Sequence, residues 1–121
     1  ASIIENGWCQ MVALVDGAVV GWCDVLPTHG QARSHIGTLG IGLVPSARRR
    51  GIGGKLMKAA IEAAWKAGIT RIELTVRADN PVAKALYERM GFVTEGHHLR
   101  SFRVDGVYAD SYSMALLGPQ D

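Results

Sequence analysis

The sequence is poor in cysteine, proline and aromatic residues. It has two cysteines, Cys9 and Cys23, too few for a disulfide framework. Free thiols fit a reducing compartment, and the expected location is the cytoplasm. No run of 18 apolar residues is present, so no membrane-spanning helix is expected. No basic-then-apolar leader opens the chain, which starts at Ala1 instead of a methionine. Repeats and low-complexity segments are also missing. The net charge of +2 excludes a global field aimed at nucleic acid or membrane.

What is present is an ordinary globular composition in 121 residues, 48% apolar and 20% charged. That length predicts one small domain, residues 1–121. Glycine is abundant, 15 residues against 4 prolines, and scattered, which points to tight turns and close backbone approaches. Charge is uneven in one place. Arg48, Arg49, Arg50, Lys55 and Lys58 share a stretch with no acid. Such a patch suits a phosphate-bearing ligand, and a solvated basic turn is the alternative reading.

Gln10–Val15 and Ala18–Leu26 read as strands joined by the hairpin turn Asp16-Gly17. A strand over His35–Val44 contains Gly37, Gly40 and Gly42, which suggests a bulge or a close ligand approach. Gly51–Ala67 reads as a helix stopped by Gly68. Thr70–Val76 alternates, with Ile72, Leu74 and Val76 on one face. Asn80 and Pro81 predict the N-cap and first residue of a second helix, running to Met90 and Gly91. Phe92–Val104 and Val107–Leu117 flank a second hairpin turn, Asp105-Gly106. The order β-β-β-α-β-α-β-β implies a mixed sheet and an α+β (α/β mixed) class.

The glycine-rich turn from Arg48 to Lys55 follows a strand and opens a helix. Backbone N–H groups and the helix dipole there favour phosphate oxygens. Two known phosphate loops fail on spacing. A Walker A loop needs glycine where Arg49 stands and Ser/Thr where Leu56 stands. A dinucleotide fingerprint from Gly51 needs its third glycine at Leu56. Arg48-x-x-Gly51-x-Gly53 fits the pyrophosphate loop of the GNAT acetyltransferases. Downstream, Leu74 to Phe92, with Asn80, Ala83, Leu86-Tyr87 and Gly91-Phe92, resembles the second GNAT motif. Together the likeness covers roughly Gly7 to Leu117 and identifies the chain as a GNAT superfamily N-acetyltransferase. The tail from Glu95 to Met114 resembles the bacterial branch acting on amino acids, polyamines or related small amines.

The resemblance implies acetyl-CoA as donor, with no metal. It implies a strand that splays at a bulge, so that the pantetheine arm enters beside Ile41, Leu43 and Val44. The Leu43 N–H would polarise the thioester carbonyl. Arg48, Arg49, Arg50, Gly51, Ile52, Gly53, Gly54 and Lys55 would hold the pyrophosphate. Asn80 and Ala83 would add contacts, and Tyr87 would protonate the departing thiolate. Phenol and thiol pKa values of about 10 and 8.5 make that transfer only mildly uphill. A packed aromatic is the alternative for Tyr87, and an N-cap for Asn80.

The expected reaction is direct attack by a primary amine through a tetrahedral intermediate, without an acyl-enzyme. An alkyl amine of pKa about 10 is roughly one part in a thousand neutral at pH 7, so it must lose a proton first. His35-Ile36-Gly37-Thr38-Leu39-Gly40-Ile41 holds no carboxylate base, which leaves His35, Asp24, Glu95 or a water chain as candidates. Asp110 is expected to need a partner: a substrate ammonium, a backbone N–H or an arginine. His97 and His98 point to opposite strand faces and cannot readily share a metal. Trp8, Trp22 and Trp65 read as packing residues, as does Cys23.

The alternatives to a small-amine enzyme are a protein or peptide N-acetyltransferase and a CoA-binding module without catalysis. A nucleic-acid binder is disfavoured, because Arg48–Arg50 is short and lacks interleaved aromatics. A homodimer is compatible with the family. GNAT domains usually begin with a strand and one or two helices, and Ala1–Cys9 is too short for them. The expected domain is therefore an N-terminally truncated one, with a whole donor site and an unfinished acceptor site.

Overall fold

A computed structural model describes residues 2–48 and 51–119. They form seven strands and two helices: β1 (Ser2–Glu5), β2 (Gln10–Val15), β3 (Ala18–Pro27), β4 (Ile36–Leu43), α1 (Ile52–Lys66), β5 (Arg71–Arg77), α2 (Pro81–Arg89), β6 (Val93–Val104) and β7 (Val107–Leu117). The mixed α+β class and the later element order hold. A strand absent from the expected order, β1, opens the chain and pairs antiparallel with β2 from Ser2↔Leu14 to Glu5↔Met11. The Ala1–Cys9 stretch thus contributes an edge strand, contrary to expectation.

The sheet runs β1-β2-β3-β4-β5-β7-β6. Only β4 and β5 are parallel, joined through α1 as a crossover requires. Both hairpins form at the expected turns. Asp16 and Gly17 have φ of 50° and 79°, and Asp105 and Gly106 have 52° and 76°, the paired positive values of a two-residue turn.

Both helices lie on one face. Leu56, Met57, Ala60, Ile61 and Ala64 recur at helical spacing and are buried. The small Ala60 and Ala64 let α1 sit close to β2 and β3. Full burial of a side chain such as Leu56 or Met57 contributes about 1.5–3 kcal/mol. Ile72, Leu74 and Val76 extend this core along β5, and Tyr87 and Phe92 close it beneath α2. The opposite face of β3 and β4 carries Trp22, Asp24, Leu26, Thr38, Gly40 and Gly42. No helix covers it among the described residues.

Three expectations need correction. Trp8 and Trp22 are exposed, at 50% and 41%. Trp22 lies on the helix-free face, where its indole spreads over Gly40 and Gly42. The glycines of β4 make no bulge, because the β3–β4 register runs unbroken from Gly21↔Leu43 to Pro27↔Gly37. They make room for side chains from β3: a Cβ at Gly37 would overlap Val25, and one at Gly42 would overlap Trp22. On β7, Met114 is buried but Tyr108 is exposed, because β5 supports that strand only from Ser111 to Leu117.

Candidate active site

The β4–β5 ladder is short. It pairs Ile36↔Arg71, Gly37↔Ile72 and Thr38↔Glu73, and stops there. Both strands continue, so the sheet opens into a gap from Leu39 onward. The β3–β4 ladder fixes which groups face it. Ile36 and Val44 bond to β3 through the Ile36 carbonyl and the Val44 N–H. Alternation along β4 then turns the N–H and C=O of Ile41 and Leu43 away from β3 and into the gap. The splay expected from the family is present, without the bulge.

The chain after β4 makes a short turn over Pro45–Ala47 and enters α1 through Gly51. Gly51 has φ 76°, a left-handed conformation natural to glycine. The first intrahelical bond runs from the Lys55 N–H to the Gly51 carbonyl. The N–H groups of Ile52, Gly53 and Gly54 therefore lack helical partners, and no side chain caps them. No acid lies in that first turn, so its positive dipole end is uncompensated.

Across the gap, Asn80 caps α2. Its Oδ1 accepts the Ala83 N–H at 3.2 Å, and Pro81 takes the first helical position. The capping reading of Asn80 is therefore correct. A cavity of about 760 Å³ lies between these parts. β4 supplies Ile41 and Leu43. The turn and α1 supply Arg48, Gly51, Gly53 and Gly54. α2 supplies Asn80, Ala83 and Tyr87.

Other expected residues are not brought there. The Ile52 side chain is buried in the core, so Ile52 offers only its backbone N–H, and Lys55 is exposed. The Val44 N–H bonds to Val20, turned away from the gap by the same alternation. His35 precedes β4 at its far end, roughly 26 Å of strand from Leu43. Its carbonyl accepts the Thr70 and Arg71 N–H groups. Glu95 is engaged by Arg71. Arg49 and Arg50 lie outside the described residues. The cavity also takes in Gly42, Val82, Leu86 and Arg89. The last three share one face of α2, four and three residues apart, and Leu86 lies three residues beyond Ala83; that helical spacing was the available signal.

Tyr87 is 9% exposed, with its ring edge-on to Phe92 at 6.1 Å between centroids. Its hydroxyl bonds to no other group among the described residues, yet no buried side-chain polar atom among them lacks a partner. The hydroxyl therefore opens to accessible space, which for this residue is the cavity. Burial pushes the phenol above its ordinary range, with a smaller push from the Cys23 thiol. Such a group stays protonated at neutral pH and can donate a proton. Cys23 is fully buried and its thiol is pushed up to about 12, mainly by burial, as befits a packing residue.

Asp110 finds protein partners. It accepts the Arg100 N–H at 2.9 Å and meets His97 Nε2 at 2.9 Å. His98 turns to the other face and meets Ser113 Oγ at 3.1 Å.

The acetyltransferase (GNAT) family model matches residues 3–92. The chain belongs to the GNAT family. It is 37% identical over 108 residues to an L-amino acid N-acetyltransferase of Escherichia coli, covering 88% of this chain and 66% of that relative. A GNAT acetyltransferase structure from Streptococcus pneumoniae superposes with a TM-score of 0.86 at 33% identity, covering 89% of this chain and 66% of that one. A phosphinothricin acetyltransferase from Sinorhizobium meliloti, solved with acetyl-CoA, gives 0.83 at 26% identity, with 90% and 60% covered. This GNAT chain thus spans two thirds of these relatives or less. No helix among its described residues is long and apolar enough to cross a membrane.

Proposed function

We propose that this GNAT domain transfers the acetyl group of acetyl-CoA to a primary amine of a small molecule. The observation that carries the reading is the β4–β5 gap ending beside the uncapped, glycine-lined start of α1. That pair of features suits a ligand with an amide-bearing arm and a pyrophosphate. The free N–H groups of Ile52, Gly53 and Gly54, with the Arg48 guanidinium, bind the phosphate oxygens. Ile41 and Leu43 offer the arm a strand edge, pairing as a neighbouring strand would.

The bound donor supplies an activated acetyl thioester. The Leu43 N–H, turned into the gap, is the donor we assign to the thioester oxygen, where it would stabilise the charge that builds, an oxyanion role. The amine, having lost its ammonium proton to water, forms a nitrogen bond to the acetyl carbon; the carbon–sulfur bond breaks and the nitrogen releases its remaining extra proton to water. Tyr87 donates its hydroxyl proton to the departing sulfur. It regains one from solvent through the cavity. The relative named for L-amino acids supports a small amine as acceptor.

The test is calorimetry with acetyl-CoA, followed by acetylation assays over L-amino acids, polyamines and an alanine-starting peptide. Acetyl-CoA binding with transfer to a small amine is expected. No heat at millimolar acetyl-CoA defeats the reading, and transfer to the peptide alone redirects it to a protein substrate.

A further inference from the structure

The helix side of the gap is taken up by α1, α2 and the cavity. The other side is the open face of β3 and β4, and one acid stands out there. Among the described residues, Glu5, Asp16, Asp24, Glu62 and Asp105 make no ion pair and accept no side-chain hydrogen bond. Four of them are exposed, and only Asp24 is half-buried. Its carboxylate, without a cation among the described residues, is free to take one from a ligand.

Its surroundings suit a cation. Asp24 pairs with Gly40 across the β3–β4 ladder. One carboxylate oxygen lies 3.3 Å from the point a Gly40 Cβ would occupy. The rim of the Trp22 indole lies 3.3 and 3.5 Å from the same point. A carboxylate and an indole thus meet over a bare stretch of backbone. The carboxylate neutralises an ammonium group by a charge-assisted hydrogen bond, and the indole rim walls the seat on its apolar side. The next residue, Ile41, turns its N–H into the gap. Gly40 lies on the strand that borders the gap, so a group seated over it is at the gap's edge.

We propose that Asp24 and Trp22, over Gly40, form the subsite that holds the protonated amine of the acceptor. This rests on the acetyl-transfer reading and adds a direction to it. The donor occupies the helix side, the ammonium arrives on the open face, and it gives up a proton to water before the neutral amine meets the thioester through the gap. Gly40 is required because a side chain there would fill the seat. The ligand class is a compact primary ammonium.

The test uses n-butylammonium as probe and n-butanol as its neutral counterpart. Indole and backbone N–H resonances are followed by NMR in the intact protein, with and without CoA. Butylammonium should shift the Trp22 indole and Gly40 amide signals, and butanol should not. Asp24→Asn should weaken the butylammonium response at least tenfold. For any amine the wild type acetylates, it should raise the acceptor KM at least tenfold and leave the acetyl-CoA KM within twofold. No shift at Trp22 and Gly40, an equal response to butanol, or an unchanged response in Asp24→Asn would overturn the subsite. If acetyl-CoA binds and transfer proceeds with an unchanged acceptor KM in Asp24→Asn, the subsite alone fails. If acetyl-CoA does not bind, the transfer reading fails, and the butylammonium response still decides the cation seat.

Discussion

Arg71 on β5 donates to both carboxylate oxygens of Glu95 on β6, reaching across β7, which lies between the two strands. The same guanidinium also donates to Glu73 at 2.9 Å. One side chain therefore ties the outermost strand to the parallel seam of the sheet.

The first prediction concerns acid stability. The Arg71 guanidinium, chiefly through its hydrogen bonds, holds the Glu95 carboxyl below the usual carboxylate range. Its folded pKa is thus lower than its unfolded one. The stabilisation is present above the unfolded value and is lost as pH falls through the folded one. Glu95→Gln should lower the urea midpoint near pH 7, and the two proteins should converge near pH 3. A constant difference at both pH values would count against the tie.

Tyr87→Phe removes the proposed proton donor and keeps the edge contact with Phe92. The kcat should fall about a hundredfold, the usual scale for losing a positioned acid. Acetyl-CoA affinity by calorimetry should stay within about threefold. An unchanged kcat, with chemistry shown to be rate-limiting, would remove Tyr87 from the reaction.

Gly51→Ala puts a Cβ on a residue with φ 76°. The left-handed conformation should cost about 1–2 kcal/mol in unfolding experiments. The turn presenting the free N–H groups should also shift, weakening acetyl-CoA. Gly54→Ala is the control for volume: its Cβ meets nothing within 4 Å, so stability should hold.

Asn80→Ala removes the acceptor of the Ala83 N–H. The loss should be about 1 kcal/mol of stability, typical of an N-cap. Asn80→Asp should restore most of it, since aspartate caps as well. Failure of the rescue in thermal melts would mean that Asn80 acts other than as a cap.

Cys23 should resist thiol reagents in the native state at pH 8. Its buried thiol, pushed up to about 12, forms almost no thiolate there. Labelling by a maleimide should appear only on unfolding. Rapid native labelling at Cys23 would contradict its burial.

What could be read from the sequence was whatever local chemistry determines. Asp16-Gly17 and Asp105-Gly106 specify their turns by tolerance of positive φ. Asn80-Pro81 specifies a helix start within one turn. Arg48, Gly51, Gly53, Asn80, Ala83 and Tyr87 could be grouped in advance and line one cavity, because the loop and the α2 residues are each contiguous in sequence. What escaped depends on neighbours distant in sequence. Ser2–Glu5 is too short to show a period and becomes a strand only against β2. The glycines of β4 looked like a bulge, while their partners, Val25 and Trp22, lie on another strand. Trp22 read as a packing residue, yet the inward residues of β3 are the smaller Gly21, Cys23 and Val25, with Gly21 under Leu43 and Leu56.

The short seam at Ile36–Thr38 makes the sheet mechanically two plates on a common hinge, β1–β4 and β5–β7. A hinge at one end means that a small change of angle is magnified at the open end. The aperture at Leu43 is therefore set at the Ile36–Thr38 seam with Arg71–Glu73, at the far end of the strand. Bulk added at that pivot would retune the width of the slot while leaving every lining residue in place.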